Sequence, residues 1–307
     1  MPELPEVEVT RRGLLPVEGA QIAAVTIRHH GLRWPVPEDL PTLLTGRTLL
    51  ALRRRAKYIL ADIGTQTVEG VLLLHLGMSG RLCLLERDFP PEKHDHFDLR
   101  FSDGRVIRLR DPRRFGAVLW LGAQADNHML LRDLGPEPLE AAFDGAYLYQ
   151  QLQRKSAAIK PTIMDAHVVV GVGNIYASES LFHAGIHPET PARQLSLAQC
   201  TRLVDTIKAT LHAALEAGGS SLRDFFGADG NPGYFQQTYT VYARADAPCR
   251  VCGSPIRCIR LGQRSTFYCE HCQPRPNIAV RTSATRKQSI AVNRAQPKRA
   301  ASTRKKK

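Results

Sequence analysis

Two kinds of hydrophobic periodicity divide the chain near residue 133. Residues 1–133 contain short segments in which apolar and polar side chains alternate between turn residues, a pattern that predicts β-strands. The clearest segment covers residues 97–102, where Phe and Leu alternate with polar residues. The pair Asp103-Gly104 follows and predicts a two-residue hairpin turn with positive φ at both positions. The pattern therefore predicts a sheet-rich amino-terminal domain.

After a Gly-Pro-Glu-Pro break at residues 135–138, apolar residues recur at helical spacing. Ser196 followed by Gln199 forms a capping box. The apolar stripe behind it stops at Gly218-Gly219 and consists of Leu197, Cys200, Leu203, Val204, Ile207, Leu211 and Leu215. We predict one long amphipathic helix here, with this stripe facing a core.

Gly171 and Gly173 follow three valines, as at the beginning of a dinucleotide-binding fingerprint. The third glycine of that motif is missing, and no strand-helix-strand pattern surrounds the pair. We expect instead a turn between two helices, in which the small residues allow backbone N–H groups to approach a phosphate.

Composition places the chain among ordinary globular proteins. With 307 residues, 43% of them hydrophobic and 23% charged, it is long enough for two domains. No apolar run approaches the roughly 20 residues that a membrane span needs. The first residues, MPELPEVEV, are acidic and differ from the basic and then apolar order of a signal peptide. We therefore expect a cytoplasmic protein with no membrane partner.

The net charge of +13 indicates either an anionic partner, for which nucleic acid is the first choice, or a basic solubilising tail. Residues 274–307 contain eleven Lys or Arg, no Asp or Glu and no periodic apolar pattern, which predicts a disordered basic tail. The preceding residues carry the other 31 Lys or Arg against all 29 Asp and Glu, a net charge of only +2. Nucleic-acid binding by the folded part therefore depends on where its charges lie.

Four of the seven cysteines form two C-x-x-C pairs separated by sixteen residues, Cys249 with Cys252 and Cys269 with Cys272. Two such pairs supply the four thiolates that a tetrahedral structural zinc ion prefers. A pair of disulfides is the alternative, which a reducing cytoplasm disfavours. Because the cysteines fill all four ligand positions, we predict one structural zinc ion with no open position for catalysis.

The segment between the two pairs predicts a β-hairpin with its turn around residues 262–264. It carries several arginines, Arg264 among them, and an aromatic pair at 267–268. This combination suits contact with phosphate, although many zinc ribbons only hold proteins together. The three remaining cysteines are interpreted as small buried or neutral thiols; they are Cys83, Cys200 and Cys258.

Residue 2 is a proline, and a small second residue permits removal of the initiator methionine. The new amino terminus is a secondary amine with an ordinary pKa of about 8, so part of it is unprotonated at neutral pH. Such an amine can attack an aldehydic carbon, and the iminium it forms stays cationic and withdraws electrons. Glu3 and Glu6 follow closely, but acidic residues are common in a first helical turn, so a purely structural role stays open.

Seven segments carry a family resemblance. They are MPELPEVE at 1–8, RRAKY at 54–58, HLGMSGRL at 75–82, PEKHDH at 91–96, DPRRFGA at 111–117, VVVGVGNIYASESL at 168–181 and the zinc hairpin. In this order they resemble the bacterial formamidopyrimidine-DNA glycosylases, from residue 1 to about 273. Proteins of this family remove oxidised purines from duplex DNA and then cleave the strand at the abasic site.

The resemblance implies an α+β fold. An amino-terminal two-layer β-sandwich with a leading helix precedes a helical domain with a helix-two-turn-helix and a zinc-binding β-hairpin. The implied boundaries are 1–133 for the sandwich, 134–239 for the helical domain, 240–273 for the hairpin and 274–307 for the disordered tail. The implied partner is damaged double-stranded DNA, the cofactor is one Zn²⁺ ion, and the chain acts as a monomer.

Four residues match catalytic positions of the family. Pro2 matches the nucleophile that attacks C1′ of the damaged nucleotide. Glu3 matches the residue that protonates the sugar ring oxygen, a role that requires a pKa raised by burial or by the neighbouring Glu6. Lys57 matches the proton donor in β-elimination, and Arg264 matches the residue linked to δ-elimination. Without the resemblance, Lys57 is interpreted as an ordinary exposed strand lysine.

Six further residues match DNA-contacting positions. Met78, Arg113 and Phe115 match the residues that fill the space left by an extruded base, and His94, Lys155 and Asn174 match other DNA contacts. Without the resemblance, Phe115 is interpreted as a core residue and Met78 as a gap filler. His94 and His96 together suggest a metal site that lacks a third ligand. The loop at 218–234 matches the segment that closes over the extruded base.

Two alternatives stay open. A relative of endonuclease VIII prefers oxidised pyrimidines, although Leu4 and the set of Met78, Arg113 and Phe115 favour the purine branch. A zinc-ribbon DNA-binding protein without catalysis is the other alternative. The complete catalytic set described above argues against it.

Overall fold

The computed structural model describes residues 2–220 and 234–275. Most of the predicted closing loop and nearly all of the predicted basic tail lie outside the described residues, so both stay predictions. Within the described ranges, no helix combines the length and apolar character that a membrane crossing demands.

Eight strands in the amino-terminal half of the described chain form two antiparallel four-stranded sheets. They are β1 (Ile22–Ile27), β2 (Thr48–Arg55), β3 (Tyr58–Gly64), β4 (Val68–His75), β5 (Arg81–Leu85), β6 (Asp95–Phe101), β7 (Val106–Arg110) and β8 (Ala117–Trp120). The strand orders are β1-β6-β7-β5 and β2-β3-β4-β8. Leu74 of one sheet and Phe97 of the other lie in the same buried core, so the predicted two-layer sandwich is confirmed.

The alternating segment at 97–101 forms part of β6, and its three apolar residues are buried, but the predicted two-residue turn is wrong. Of the two turn residues only Gly104 has positive φ (92°). The Phe101 N–H donates to the Arg105 carbonyl at 2.9 Å, which leaves a three-residue loop. The Asp103 carboxylate accepts the Arg105 N–H at 3.0 Å, and a single left-handed glycine is what such a loop requires.

The leading helix and the helical half follow the predicted pattern. The helices are α1 (Leu4–Leu14), α2 (Leu40–Leu44), α3 (Gly145–Leu152), α4 (Ile159–Ile163), α5 (Asn174–His183) and α6 (Leu197–Glu216). Ser196 caps α6 in a capping box with Gln199, and Gly218 follows its end with φ 72°. Most of the predicted stripe is buried, but Leu197 in the first turn is 50% exposed and lies outside the core.

The predicted zinc hairpin consists of β9 (Ile256–Leu261) and β10 (Arg264–Cys269), which pair in antiparallel register. Gly262 and Gln263 have φ of 55° and 63°, as a two-residue hairpin turn requires. All described residues belong to one compact unit, Met1–Pro276. The boundaries that the sequence places between its sandwich, helices and hairpin stay predictions.

Candidate functional site

The amino terminus lies against the turn that precedes α5. Pro2 is buried, and Glu3 is the N-cap of α1. The Glu3 carboxylate accepts the backbone N–H groups of Gly173 at 2.8 Å and Ile175 at 3.0 Å. A helix amino terminus favours a negatively charged acceptor. In this structure the turn therefore binds Glu3 through the N–H groups that we expected to approach a phosphate.

The two glycines of this turn are required by the close approach of α1. Gly171 has φ of +78°, and a Cβ at this position would lie 2.6 Å from Cδ1 of Leu4. A Cβ on Gly173 would lie 2.2 Å from Cδ of Glu3. The Leu4 N–H also donates to the Gly171 carbonyl at 3.1 Å. Pro2 and Glu3 are thereby fixed relative to the helical half.

Glu6 is buried beside Glu3 and accepts hydrogen bonds from two backbone N–H groups and a hydroxyl. The N–H groups of Glu3 and Ser220 donate at 2.8 Å each, and the Tyr176 hydroxyl donates at 2.5 Å. Burial raises the pKa of Glu6, and the nearby charge of Glu3 raises it further. Glu6 is thus a buried carboxyl group with a raised pKa, held beside Glu3 by three hydrogen bonds. The proton-donor role of Glu3 stays a prediction.

Lys57 lies in the turn between β2 and β3 and is half-buried, so its interpretation as an ordinary exposed strand lysine is wrong. Ala56 before it has φ of 54°, in the left-handed region. Burial lowers the pKa of Lys57; the charges of Glu3 and Glu6 oppose this effect, and that of Arg264 adds to it. These couplings place the ammonium group within electrostatic reach of three other groups of the site.

Glu137 fixes the Lys57 turn, and sequence reasoning missed it. Its buried carboxylate accepts the Ala56 N–H at 2.7 Å and forms ion pairs with Arg54 at 2.5 Å and Arg55 at 3.0 Å. These partners lie 81 to 83 residues away in sequence. A single glutamate after a Gly-Pro break carries no signal of such distant contacts. The contacts tie the sandwich to the segment that leads into the helical half.

Lys160 is a second residue that sequence reasoning missed. It is 1% exposed, and its Nζ donates to Oδ1 of Asn174 at 2.6 Å and Oγ1 of Thr266 at 2.8 Å. Burial lowers the pKa of Lys160 to about 8. A lysine among apolar residues of the short helix α4 was the available sequence signal.

The same contacts hold the start of β10, which carries Arg264. Nδ2 of Asn174 donates to the Ser265 carbonyl at 3.0 Å, and Lys160 donates to the same carbonyl at 3.3 Å. The Asn174 side chain therefore makes its hydrogen bonds within the protein, and its predicted contact with DNA stays a prediction.

Three cavities adjoin one another through shared lining residues, and together we call them the central groove. The first, of about 610 Å³, is lined by His75, Met78, Phe115 and Arg264 among others. The second, of about 220 Å³, shares Arg264 with the first and includes Lys160. The third, of about 350 Å³, shares residues with the second and contains Lys155, which pairs with Asp165 at 3.3 Å.

The residues at one end of the central groove are exposed. Met78 and Phe115 are 41% and 43% exposed, so the interpretation of Phe115 as a core residue is wrong. The guanidinium carbon of Arg113 lies 4.9 Å from the centre of the Phe115 ring. The structure therefore brings all three predicted void-filling residues to one place, at the groove that also contains Arg264.

His75 lines this groove as a neutral imidazole. Burial lowers its pKa to about 4, and the charges of Arg33 and Lys57 contribute. Its Nδ1 accepts the Gly77 N–H at 3.3 Å, which places the ring proton on Nε2. His75 therefore offers the groove an uncharged hydrogen-bond donor at neutral pH.

His94 precedes the buried Asp95 and has φ of 77°. Its ring centre lies 6.2 Å from that of His96. Within residues 2–220 and 234–275, His94 and His96 belong to no group of three residues with converging metal-ligand atoms. The predicted contact of His94 with DNA stays a prediction.

The four paired cysteines converge, with all ligand atoms within 4.8 Å of one another. The Sγ atoms lie 3.4 Å apart in Cys252 and Cys269 and 3.9 Å apart in Cys249 and Cys272. A disulfide requires about 2.05 Å, so that alternative is wrong. A tetrahedron of thiolates with zinc–sulfur distances of about 2.3 Å has edges of about 3.8 Å. The four cysteines therefore fit one structural zinc ion.

Glu179 of α5 anchors the segment that leads into the hairpin. Its buried carboxylate accepts the N–H groups of Thr240 at 2.9 Å, Val241 at 3.0 Å and Tyr242 at 2.8 Å. These bonds, together with those of Lys160 and Asn174, fix the hairpin against the helical half.

Comparison with known proteins agrees with this arrangement over most of the chain. Three family models match: the formamidopyrimidine-DNA glycosylase N-terminal domain at residues 1–118, the H2TH domain of the same enzyme at 134–226, and a zinc finger found in FPG and IleRS at 247–275. A formamidopyrimidine-DNA glycosylase of Methylobacillus flagellatus is 67% identical over 273 residues, which cover 89% of this chain and 96% of that protein.

Two solved structures from Lactococcus lactis have the same fold. One is a complex of an Fpg variant with DNA containing Fapy-dG, with a TM-score of 0.82. The other is a complex of wild-type Fpg with DNA containing an oxidised pyrimidine, with a TM-score of 0.81. Each is 35% identical to this chain, and each match covers 89% of this chain and 100% of the other. The chain belongs to the formamidopyrimidine-DNA glycosylase family.

Proposed function

We propose that this chain is a bifunctional DNA glycosylase and abasic-site lyase of base excision repair. It excises oxidised purines, 8-oxoguanine and formamidopyrimidines, from duplex DNA. The observation that carries the proposal is the arrangement of Pro2 and Glu3 near the buried Glu6, the half-buried Lys57 and Arg264 of the zinc hairpin. Family membership supports the glycosylase activity, and this arrangement supports the finer chemistry.

Base excision begins when the Pro2 nitrogen, free after removal of Met1, attacks C1′ of the damaged nucleotide. The N–C1′ bond forms as the glycosidic bond breaks, and the base leaves with that electron pair and acquires a proton. Glu3 protonates the ring oxygen, and the sugar opens to an iminium. Glu3 follows Pro2 directly, so its carboxyl group is placed to act as a general acid on the sugar that the Pro2 nitrogen attacks.

Strand cleavage follows because the iminium acidifies the C2′ proton. Solvent takes this proton as the C3′–O bond breaks, and the 3′ phosphate leaves with that electron pair. Loss of the C4′ proton to solvent in a second elimination breaks the C5′–O bond and expels the 5′ phosphate. Lys57 supplies the proton for the first elimination, and its lowered pKa brings it closer to the working pH. Arg264 keeps its charge, so it stabilises the leaving phosphate as a clamp.

The central groove accommodates the DNA. Arg264 and Arg33 present positive charge along it, and Lys155 lies there in an ion pair with Asp165; phosphate contacts of such cations fix the position of a duplex. The damaged base leaves the stack, and Met78, Phe115 and Arg113 fill the space. Flipping costs a few kcal/mol of stacking, which such insertion offsets.

The purine branch is the better supported of the two substrate classes. A relative in this family has been crystallised with Fapy-dG DNA and also with DNA containing an oxidised pyrimidine, so the fold admits both. Leu4 and the void-filling set favour purines. A direct test compares excision from duplexes that contain 8-oxoguanine opposite cytosine or an oxidised pyrimidine.

The test uses wild type, Glu3→Gln and, as matched control, Asp103→Asn on the sheet hairpin. We expect wild type and the control to excise 8-oxoguanine faster than the pyrimidine. Glu3→Gln should lose base excision but still cleave a preformed abasic site, whose aldehyde needs no ring protonation. Preference for the pyrimidine supports the endonuclease VIII alternative, and no excision of either base contradicts the enzyme proposal.

A further inference from the structure

The three void-filling residues belong to two separate loops. Residues 76–80 connect β4 to β5 and carry Met78, while residues 111–116 connect β7 to β8 and carry Arg113 and Phe115. The tips of both loops are exposed, although Leu76 at the start of the first loop is buried in the core of the sandwich. The exposed tips therefore depend on other contacts to keep one loop in place relative to the other.

Asp111 joins the two loops. It is 0% exposed, although it lies at the base of an exposed loop. Its Oδ1 accepts the Ser79 hydroxyl at 3.1 Å, which belongs to the other loop. Oδ1 also accepts the Arg113 N–H at 3.3 Å, and Oδ2 accepts the Gly116 N–H at 2.7 Å. The Asp111 carboxylate thus holds Ser79 in the first loop and both Arg113 and Gly116 in the second.

The donors to Asp111 are a hydroxyl and two backbone N–H groups, so they orient it without neutralising its charge. Burial of a carboxylate is costly unless hydrogen bonds or ion pairs offset the loss of hydration, and here three hydrogen bonds do so. Hydrogen bonds to a carboxylate are also stronger than those between neutral groups. The loops are therefore held in one geometry more firmly than exposed turns usually are.

The loops also pack directly on each other. Gly77 has φ of +62°, and a Cβ there would lie 2.3 Å from the Phe115 carbonyl carbon. A Cβ on Gly116 would lie 2.8 Å from the His75 oxygen and 3.0 Å from Oδ2 of Asp111. The two glycines permit the close contact between the loops, and the Asp111 carboxylate fixes the position of one loop relative to the other.

We propose that Asp111 is a positioning residue that makes Met78, Arg113 and Phe115 enter the duplex as one preformed unit. The proposal rests on the proposed function, since it assigns a role in base extrusion. Asp111 itself touches neither the base nor the sugar. Its effect belongs to extrusion alone, because Pro2, Glu3 and Lys57 are held by other contacts.

The experiment separates extrusion from chemistry with two substrates. Excision of 8-oxoguanine from a duplex requires extrusion, whereas cleavage at a preformed abasic site in single-stranded DNA does not. The variants are Asp111→Asn, Ser79→Ala and the matched control Asp103→Asn, each checked for zinc content and unfolding midpoint. Unstacking is followed in parallel by the fluorescence of 2-aminopurine placed next to the lesion.

We expect Asp111→Asn to slow duplex excision about tenfold or more, the equivalent of one lost charged hydrogen bond. The rate of the 2-aminopurine fluorescence change should fall by the same factor. The rate of single-strand cleavage should stay within about twofold of wild type, a change of under 0.5 kcal/mol. Ser79→Ala removes the hydrogen bond from the first loop to Asp111 and should slow duplex excision alone, by a smaller factor. The control should match wild type on both substrates.

An equal loss on both substrates, or no loss on either, overturns the positioning role. If Asp111→Asn does not fold, Ser79→Ala decides by the same comparison: a selective loss supports the proposal, and an unselective or absent loss overturns it. These outcomes presuppose an active wild type. A wild type that neither excises nor cleaves contradicts the proposed function instead.

Discussion

Replacement of His75 by asparagine should make the protein more resistant to acid. The asparagine keeps an acceptor near the Gly77 N–H but cannot titrate. In the wild type, burial lowers the pKa of His75 from 6.5 to about 4. The folded state therefore binds fewer protons than the unfolded state within this window, so stability falls as the pH falls from 6.5 towards 4.

Protonation of His75 across the window from pH 6.5 to pH 4 lowers the free energy of unfolding by about 3 kcal/mol in total. About 2 kcal/mol of this loss occurs between pH 7 and pH 5. Urea unfolding of the zinc-loaded chain at these two pH values measures the loss. We expect the loss in wild type to exceed that in His75→Asn by about 2 kcal/mol. Other titrating groups are common to both proteins and cancel in this difference.

His212→Asn is the matched control, because His212 lies on the exposed side of α6. The free energy of unfolding of His212→Asn should fall between pH 7 and pH 5 by as much as that of wild type. Equal losses in wild type and His75→Asn would refute the reasoning, since His75 would then titrate as an exposed histidine does. Equal losses would also mean that burial does not keep His75 uncharged in the central groove.

Three further predictions concern the hairpin and the tail. Glu179→Ala leaves three backbone N–H groups without their acceptor and should lower the free energy of unfolding by about 3 kcal/mol or more. The control Glu216→Ala, on the exposed end of α6, should change it little. Equal urea midpoints for the two variants would contradict this prediction. Removal of zinc by a chelator should disorder the hairpin and weaken binding to a lesion duplex measured by fluorescence anisotropy, and unchanged binding by zinc-free protein would refute the role of the hairpin. Truncation after Gln273 removes eleven positive charges and should flatten the dependence of DNA affinity on salt, so an unchanged slope would exclude a contribution of the tail.

Features that depend on local spacing could be predicted from the sequence. The capping box of α6, the two-residue turn of the zinc hairpin and the convergence of four cysteines each follow from residues close together in the chain. The prediction of a two-residue turn at Asp103-Gly104 was wrong because this dipeptide also suits a three-residue loop. The hydrogen bond from the Arg105 N–H to the Asp103 carboxylate accompanies the longer loop.

The contacts that organise the site could not be predicted in this way. Glu137, Lys160 and Asp111 are buried polar groups whose partners lie far away in sequence or in another loop. Lys160 stands among apolar residues of α4, but the pattern of apolar residues does not mark Glu137 or Asp111, because each is buried by donors that lie elsewhere in the chain. The family resemblance identified candidate residues for the chemistry, and the structure adds the groups that hold them.

The central claim is that the amino-terminal proline is the nucleophile, and reductive trapping tests it most directly. The protein is incubated with borohydride and an 8-oxoguanine duplex, and the covalent complex is digested and mapped by mass spectrometry. We predict a single adduct on a peptide that begins at Pro2. The half-buried Lys57 and the buried Lys160 are the rival amines, because both have a lowered pKa. An adduct on either lysine, or no adduct at all, would contradict the account.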